Sequence, residues 1–443
     1  MKNSIRKISS YLGISIVIFL FSQWFENTIL GKELFNASWS FIQNIMNEDE
    51  DEIFKKIVIV NIEEIPSNEK ITQREPLRKL VEEVIDQGPL AIGMAIAFNV
   101  DEDHKRLTPK ESNFIQKLQL LKNPRKIPIF LGVNEDGSVK SPPGEWFGTA
   151  DWDEFAATIA FARKKKDTRK IIREIVFEFE EKKFEEKKKI LPSLSKRLYD
   201  AYSDHQNLNS VKCPRISKDT FFHNPLFEST SNKIKEKEMD IQVNSFWVDY
   251  SKVKEYTDDV ININYLGNGG KEAAQYINSI DKKKLKGKIV IIGTVSENEA
   301  SHTILGPESG IPGAVIHAAG VYTLIKGPVR IFSTFAKVVF DIGLSIIIVI
   351  FIVPTIHRII AKKFHRKLDD SRAEAALIFL CALIFCCIGI IYAAKTRIMW
   401  NDFIIMWPLM SLTPWISKCI YSGCNHIGYI LSKYFIKGKI ENE

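Results

Sequence analysis

This 443-residue chain has little cysteine where cysteine would bear on its fold. Of six cysteines, only Cys213 lies between residues 32 and 330, while Cys381, Cys386, Cys387, Cys419 and Cys424 fall in or beside apolar runs near the C-terminus. A lone cysteine excludes an internal disulfide in the central region, and the absence of a CxxC pair or a His/Cys spacing leaves no basis for a structural zinc. The chain also lacks the G-x-S-x-G elbow of a hydrolase nucleophile and the G-x-x-x-x-G-K-[ST] phosphate loop. Its nearest approach to the latter, LGNGGK at 266–271, reads as a glycine turn. No paired carboxylates or metal signature names an enzyme, so no catalytic residue, metal or cofactor is predicted.

A basic surface is missing too, although the formal charge is +7. Thirteen basic residues (Lys2, Arg6, Lys7, Arg358, Lys362, Lys363, Arg366, Lys367, Arg372, Lys418, Lys433, Lys437, Lys439) sit beside the apolar runs against Asp369, Asp370, Glu441 and Glu443. About +9 of charge is thus concentrated there and the remainder is slightly negative. A nucleic-acid partner needs a basic face on the binding domain, so none is predicted.

What is present is a contrast between soluble and membrane-like sequence. Residues 10–25 are almost uncharged, as are the stretches around 338–354, 375–394 and 403–417. A helix crosses the hydrocarbon core with roughly 20 apolar residues, and with their flanks these stretches predict four spans, one N-terminal and three C-terminal. The first carries no small-residue cleavage site, only Gln23, Trp24, Phe25, Glu26 and Asn27, so an uncleaved anchor is preferred to a signal peptide. Lys395 and Arg397 run mildly against the positive-inside rule but are outnumbered.

The expected order is a cytoplasmic start (1–9), an anchor in the bilayer (10–25), an extracytoplasmic domain (26–333) and a transmembrane helix (334–356). A cytoplasmic loop (357–373), a helix (374–394), an outer loop (395–402), a helix (403–422) and a cytoplasmic tail (423–443) follow.

The central domain reads as α/β, a mostly parallel or mixed sheet flanked by helices. IVIVNI (57–62), LAIGMAIAF (90–98), KIPIFLGV (126–133), VININY (260–265) and KIVIIG (288–293) are short apolar runs of strand character. Leu77, Leu80, Val81, Val84 and Ile85 share a helical face that ends at Gly88 and Pro89. Thr108 is placed as the N-cap of a helix carrying Phe114, Ile115, Leu118 and Leu121. Strands alternating with helices imply parallel pairing. In 164–190, a Lys/Glu-rich run, the alternation of Ile175, Phe177 and Phe179 with Glu174, Glu178 and Glu180 favours a half-exposed strand over a solvated helix. Leu191–Tyr202 reads as a helix behind Pro192, and 205–256 as loops with short elements. Further helices are expected at 267–280 and from Pro312 and Gly313 to Gly327.

The strings KIVIVNIEE (56–64), QGPLAIGMAIAF (87–98), LPSLSKRLYDAY (191–202), ININY (261–265), GKIVIIGTVSE (287–297) and GIPGAVIHAAGVYTLIKG (310–327) stand in an order that resembles the CHASE domain of the second type, an extracellular sensory module of bacterial cyclases and histidine kinases. One span before the domain and three after it is similar to that family too. The chain departs from the pattern at Ala95, at SHTIL (301–305) and in 205–256. Only 423–443 follow the last span, which predicts a sensor without its own transmitter.

In an open parallel sheet, ligands bind beyond the carboxyl ends of the strands. That places Glu63, Asn99, Asp101 and the run from Thr294 to Glu297, with Ser296, around one edge, joined by His317 if it faces the same crevice. Each taken singly is more ordinary: strand-end polar residues cap turns, and a histidine among Ile316, Ala318 and Ala319 is a core residue. Asp341 inside the second span is costly in lipid and marks a signalling or interhelical position, paired with Lys337 one turn earlier. Cys386, Cys387 and Gly389 read as small-residue helix packing. The favoured function is a sensor that binds an unidentified extracytoplasmic ligand or protein and signals through its membrane helices to a separate cytoplasmic partner, with a homodimer compatible. The alternatives are an envelope assembly protein docking another protein through its outer domain, and, more weakly, an extracytoplasmic hydrolase.

Overall fold

The structure, a computed structural model, describes residues 17, 20–21, 24–25, 28–46, 52–63, 65, 67–68, 71–96, 113–114, 116–118, 127–133, 156–159, 161–162, 174–182, 189–208, 231–236, 239–263, 284–295, 302–303, 309–347 and 371–399. The chain forms two units, one of 43–224 with 228–330, the other of 1–42, 225–227 and 331–443.

The first unit is built on a six-stranded sheet. In chain order its strands are β1 (Ile57–Asn61), β2 (Ala91–Met94), β3 (Ile129–Val133), β4 (Ala156–Thr158), β10 (Ile261–Asn262) and β11 (Ile289–Gly293), arranged β10-β1-β11-β2-β3-β4. Every neighbouring pair is parallel. The central register is Ile57↔Ile289 through Asn61↔Gly293, continued by Ile289↔Ala91 through Ile292↔Met94. Parallel strands are covered on both faces, hence their near-continuous apolar sequences. Side chains alternate: Val58, Val60, Ile92, Met94, Val290 and Ile292 join one core with Leu77, Leu80, Val81, Val84 and Ile85 of helix α2 (Arg74–Asp86). Ile57, Ile59, Ala91, Ile289 and Ile291 join the other, with helices α3 (Leu194–Leu208) and α5 (Gly313–Lys326). Each fully buried Val, Leu or Ile contributes about 1.5–3 kcal/mol, so the two faces supply the main driving force for this layering.

A second, antiparallel sheet stands beside the first. Its strands are β5 (Phe161–Ala162), β6 (Glu174–Lys182), β7 (Lys189–Pro192), β8 (Ser231–Glu236) and β9 (Met239–Trp247), in the order β8-β9-β6-β5, with β7 on β6. The strand expected from alternation is therefore present, but it is not simply half-exposed: Ile175, Val176, Phe177 and Glu178 are all buried. Pro192 belongs to a strand and not to a helix. The helix begins at Leu194, where the Ser193 hydroxyl accepts the Lys196 N–H at 3.2 Å and so caps it. Residues 205–256, read as loops with short elements, contain the β8–β9 hairpin, longer than such an element, and the start of a short helix α4 (Val253–Asp258). Their polar sequence hid the pairing because backbone hydrogen bonds across a ladder require no apolar pattern. The expected helix at 267–280 and its glycine turn, and Thr108, Ile115 and Leu121, lie outside the described residues.

Helix α5 lies against α3 through Gly320. A Cβ there would stand 2.5 Å from Ser195 Oγ and 2.7 Å from Ile175 Cδ1. On α2, the Arg78 guanidinium donates to Glu75 at 2.6 Å and also pairs with Glu82. Its hydrogen bond and charge bring the Glu75 carboxyl from its ordinary 4.5 to about 2, against the opposing effect of partial burial.

The other unit contains α6 (Thr334–Ile347) and α7 (Ser371–Thr396), while helix α1 (Ile29–Met46) runs across the boundary between the two units. Phe335, Val339 and Phe340 on α6, and Leu380, Leu383, Ile384, Ile388 and Ile391 on α7, are exposed. Among the described residues no helix is long and apolar enough to cross a membrane. The expected spans at 10–25 and 403–422 fall largely or wholly outside those residues, and 334–356 is described only to Ile347.

Gly320→Ala is expected to lower the unfolding free energy by about 1–3 kcal/mol, because the added methyl overpacks the α3–α5 crossing. A shift of the denaturant midpoint at unchanged slope checks this. Because the folded Glu75 carboxyl titrates below its unfolded value, the stability it contributes is present above about pH 4.5 and lost as pH falls toward about 2. With Glu75 half-exposed, Glu75→Gln should cost less than ~1 kcal/mol at neutral pH. The stability curves of variant and parent should converge on acidification.

Candidate functional site

Three neighbouring strands end together at the carboxyl edge of the parallel sheet, and one side chain ties them. Asn61, the last residue of β1, accepts the N–H of Glu63 at 3.2 Å and that of Val295 at 3.1 Å on Oδ1. Its Nδ2 donates to Asn262 Oδ1 at 3.0 Å, across the β1–β10 pair that the register Asn61↔Asn262 sets up. Backbone bonds complete the edge: Ile62 N–H to Gly293 O at 3.1 Å, and Ala95 N–H to Ile292 O at 2.8 Å.

Helix α5 reaches this edge with its N-terminus. A Cβ on Gly293 would lie 2.9 Å from Ala314 Cβ and 3.2 Å from Ala95 Cβ, so the end of β11 is closely met by the first turn of α5 and by the residue that follows β2. Small residues are required here by distance. Ala95, a departure from the family pattern, is part of that contact. Gly132 at the end of β3 is similarly confined, its absent Cβ falling 2.5 Å from Ile96 O.

Of the residues singled out by sequence, Glu63 is exposed at this edge with its N–H held by Asn61. Asn99, Asp101 and Ser296 lie outside the described residues. His317 is 1% exposed, and its position is within α5: Ser195 Oγ lies 3.4 Å from its Nδ1 and donates to its backbone carbonyl at 3.1 Å. The structure thus places His317 between α5 and α3, in the core, while Glu63 stands in solvent. Lys337 is half-buried on α6, one turn before Asp341, whose side chain lies outside the described residues.

Asn61 was not singled out by sequence, although it closes KIVIVN and has a counterpart in ININY. The signal was a polar residue at the same terminal position of two strands, which becomes informative only once they are adjacent.

Among the described residues the edge offers amide donors and acceptors and one carboxylate, that of Glu63. Basic groups are found at the amino edge, where Lys56 Nζ bonds Tyr202 Oη at 3.1 Å and burial pushes the Lys288 ammonium pKa down. The described part of the carboxyl edge therefore suits hydrogen bonding to a small polar ligand, neutral or cationic. Among the described residues no group of three His, Cys, Asp or Glu could hold a metal ion.

A family model described as CHASE2 domain matches residues 12–355. No curated protein and no solved structure matches the chain.

Asn61→Ala is expected to speed hydrogen exchange at the Glu63 and Val295 amides and to cost about 1 kcal/mol, since the part-buried Val295 donor loses its acceptor while the exposed Glu63 donor turns to water. Asn61→Asp, which keeps the acceptor oxygen, should retain that protection. Exchange measured by mass spectrometry separates the two.

Proposed function

Since this chain belongs to the CHASE2 domain family, whose members are sensory extracellular domains, we propose that it is a membrane-anchored extracytoplasmic sensor signalling through its flanking helices to a separate cytoplasmic partner. The observation that carries the proposal is the course of α5. Its first turn rests on Gly293 at the candidate ligand edge, and its last residue, Lys326, is seven residues from Ser333, after which α6 begins. Thirteen of its peptide units thus connect the place where a ligand would act to the segment that leads toward the expected second span. A ligand that binds two placements of α5 unequally shifts their populations, and no other form of energy transfer is needed.

The apolar stretches at 10–25, 334–356, 374–394 and 403–422, together with the basic residues beside them, support four spans with both termini inside. The ligand edge in this reading comprises Asn61, Glu63 and the segments bearing Asn99, Asp101 and Ser296. His317 acts in it as a packing residue of the connecting helix. Lys337 and Asp341 belong to the output side. The reading assigns the chain no catalytic role.

Two experiments test it. In a cysteine-free background, a cysteine at Glu52, whose side chain is 83% exposed, should react with a membrane-impermeant maleimide in intact spheroplasts, and one at Lys363 only after permeabilisation. Protection of the first until the membrane is broken would overturn the topology. Thermal unfolding of the full chain in nanodiscs, screened against metabolites and ions, should yield a saturable rise in midpoint. That rise should be lost in Glu63→Gln or Asn61→Ala. If only a copurifying envelope protein raises the midpoint, the assembly reading replaces the sensor.

A further inference from the structure

Three successive residues at the end of β9 hold three different parts of the domain. Trp247 pairs with Val329 in an isolated antiparallel bridge. Val248 O accepts a hydrogen bond from Gln43 Nε2 at 3.5 Å, and the Asp249 N–H donates to Thr323 Oγ1 at 2.9 Å. Val329 lies between α5 and α6, Gln43 in the last turn of α1, and Thr323 in the last turn of α5.

These groups have little freedom to move separately. Trp247, Val248, Asp249, Gln43, Thr323 and Val329 are all buried, Asp249 and Thr323 completely. The Thr323 hydroxyl proton already goes to Ala319 O at 2.6 Å, so the rotation of that hydroxyl is fixed and its lone pair is left for Asp249. Asp249 Oδ1 in turn accepts the Ser251 N–H at 2.9 Å, a turn that aspartate favours, and the chain passes into α4. Out of water, a donor parted from its acceptor loses more than the bond contributes when made. A shift of α5 at Thr323 is therefore followed by Asp249, and the peptide bonds of 247–249 pass it to the partners of Trp247 and Val248.

We infer that Trp247–Asp249 is a coupling joint, which makes the last turns of α1 and α5 and the link from α5 to α6 move together; this rests on the sensor reading above and extends it from one output to two. The helix α1 follows the expected anchor at 10–25, and α6 opens the expected span at 334–356, so a displacement of α5 reaches both segments that lead toward the bilayer. Thr323 and Gln43 are the positioning residues of the joint. Bonds that only held the fold would let damage stay where it is made, whereas a joint carries it from one element to the next.

Hydrogen exchange of the full chain in nanodiscs, resolved by peptide mass, tests the joint without a ligand. Thr323→Val keeps the shape of the side chain and removes the acceptor. It should speed exchange at 249–251 and also, by at least about fivefold, in the last turn of α1 at 43–46, to which Thr323 makes no hydrogen bond. Exchange in α2, on the opposite face of the parallel sheet, should stay at the parent rate. Thr323→Ser, which retains the hydroxyl, should restore parent rates in both segments. In the reverse direction Gln43→Met, similar in length, should speed exchange in the last turn of α5, and this variant carries the test if Thr323→Val fails to fold. A change confined to the residues around the substitution would reduce the joint to a local bond and overturn the proposal. A uniform rise that includes α2 marks general destabilisation and overturns it too. The maleimide labelling of Glu52→Cys is independent of these rates: coupled exchange with a protected cysteine leaves the joint standing and removes the topology.

Discussion

A helix with no solvent face must be met on every side, and α5 is such a helix: Ala314 through Leu324 are all buried. The sheet supplies Ile57, Ile59, Ile289 and Ile291 beneath it, and α3 supplies Leu194, Leu198 and Tyr199. Close approach is the condition for this, and it is met by residues without bulk. Gly320 admits Ser195, and Gly293 admits Ala314. Thr323, brought inside, finds partners at these crossings: its hydroxyl donates to Ala319 O at 2.6 Å and accepts the Asp249 N–H at 2.9 Å. Burying such groups unpaired would cost several kcal/mol, so each bond fixes the position of the helix as well as its stability.

The same constraint gives the domain a use. Close-packed interiors do not deform smoothly; they move between discrete packings. A helix held by glycine contacts at the sheet edge and by the Ser195 contact further along offers few such packings, and a ligand at the edge would favour one of them. The proposed sensor role therefore draws on the close packing of α5 against α3 and the sheet. Asn61 performs the corresponding task for the strands, since one amide holds the ends of β10, β1 and β11 in a fixed relation.

Much of the architecture was legible because apolar periodicity reports burial directly. The five buried positions of α2, the apolar strands β1, β2, β3 and β11, and the helix from Gly313 to its Gly327 end follow from local pattern. The family resemblance rested on these same strings. Where pattern was weak, reading was poor: β8 and β9 are polar, Pro192 masked a strand, and the helix start at Leu194 depended on the Ser193 cap. Sequence by itself determined which residues must leave water and in which type of element. Tertiary structure alone decided which of them meet. It paired Asn61 with Asn262 across 201 residues, put His317 against Ser195 across 122, and separated His317 from Glu63. Hydrophobic burial is non-directional and can be read from one residue at a time, whereas a hydrogen bond or a glycine contact exists only when two distant residues are brought to a few ångströms.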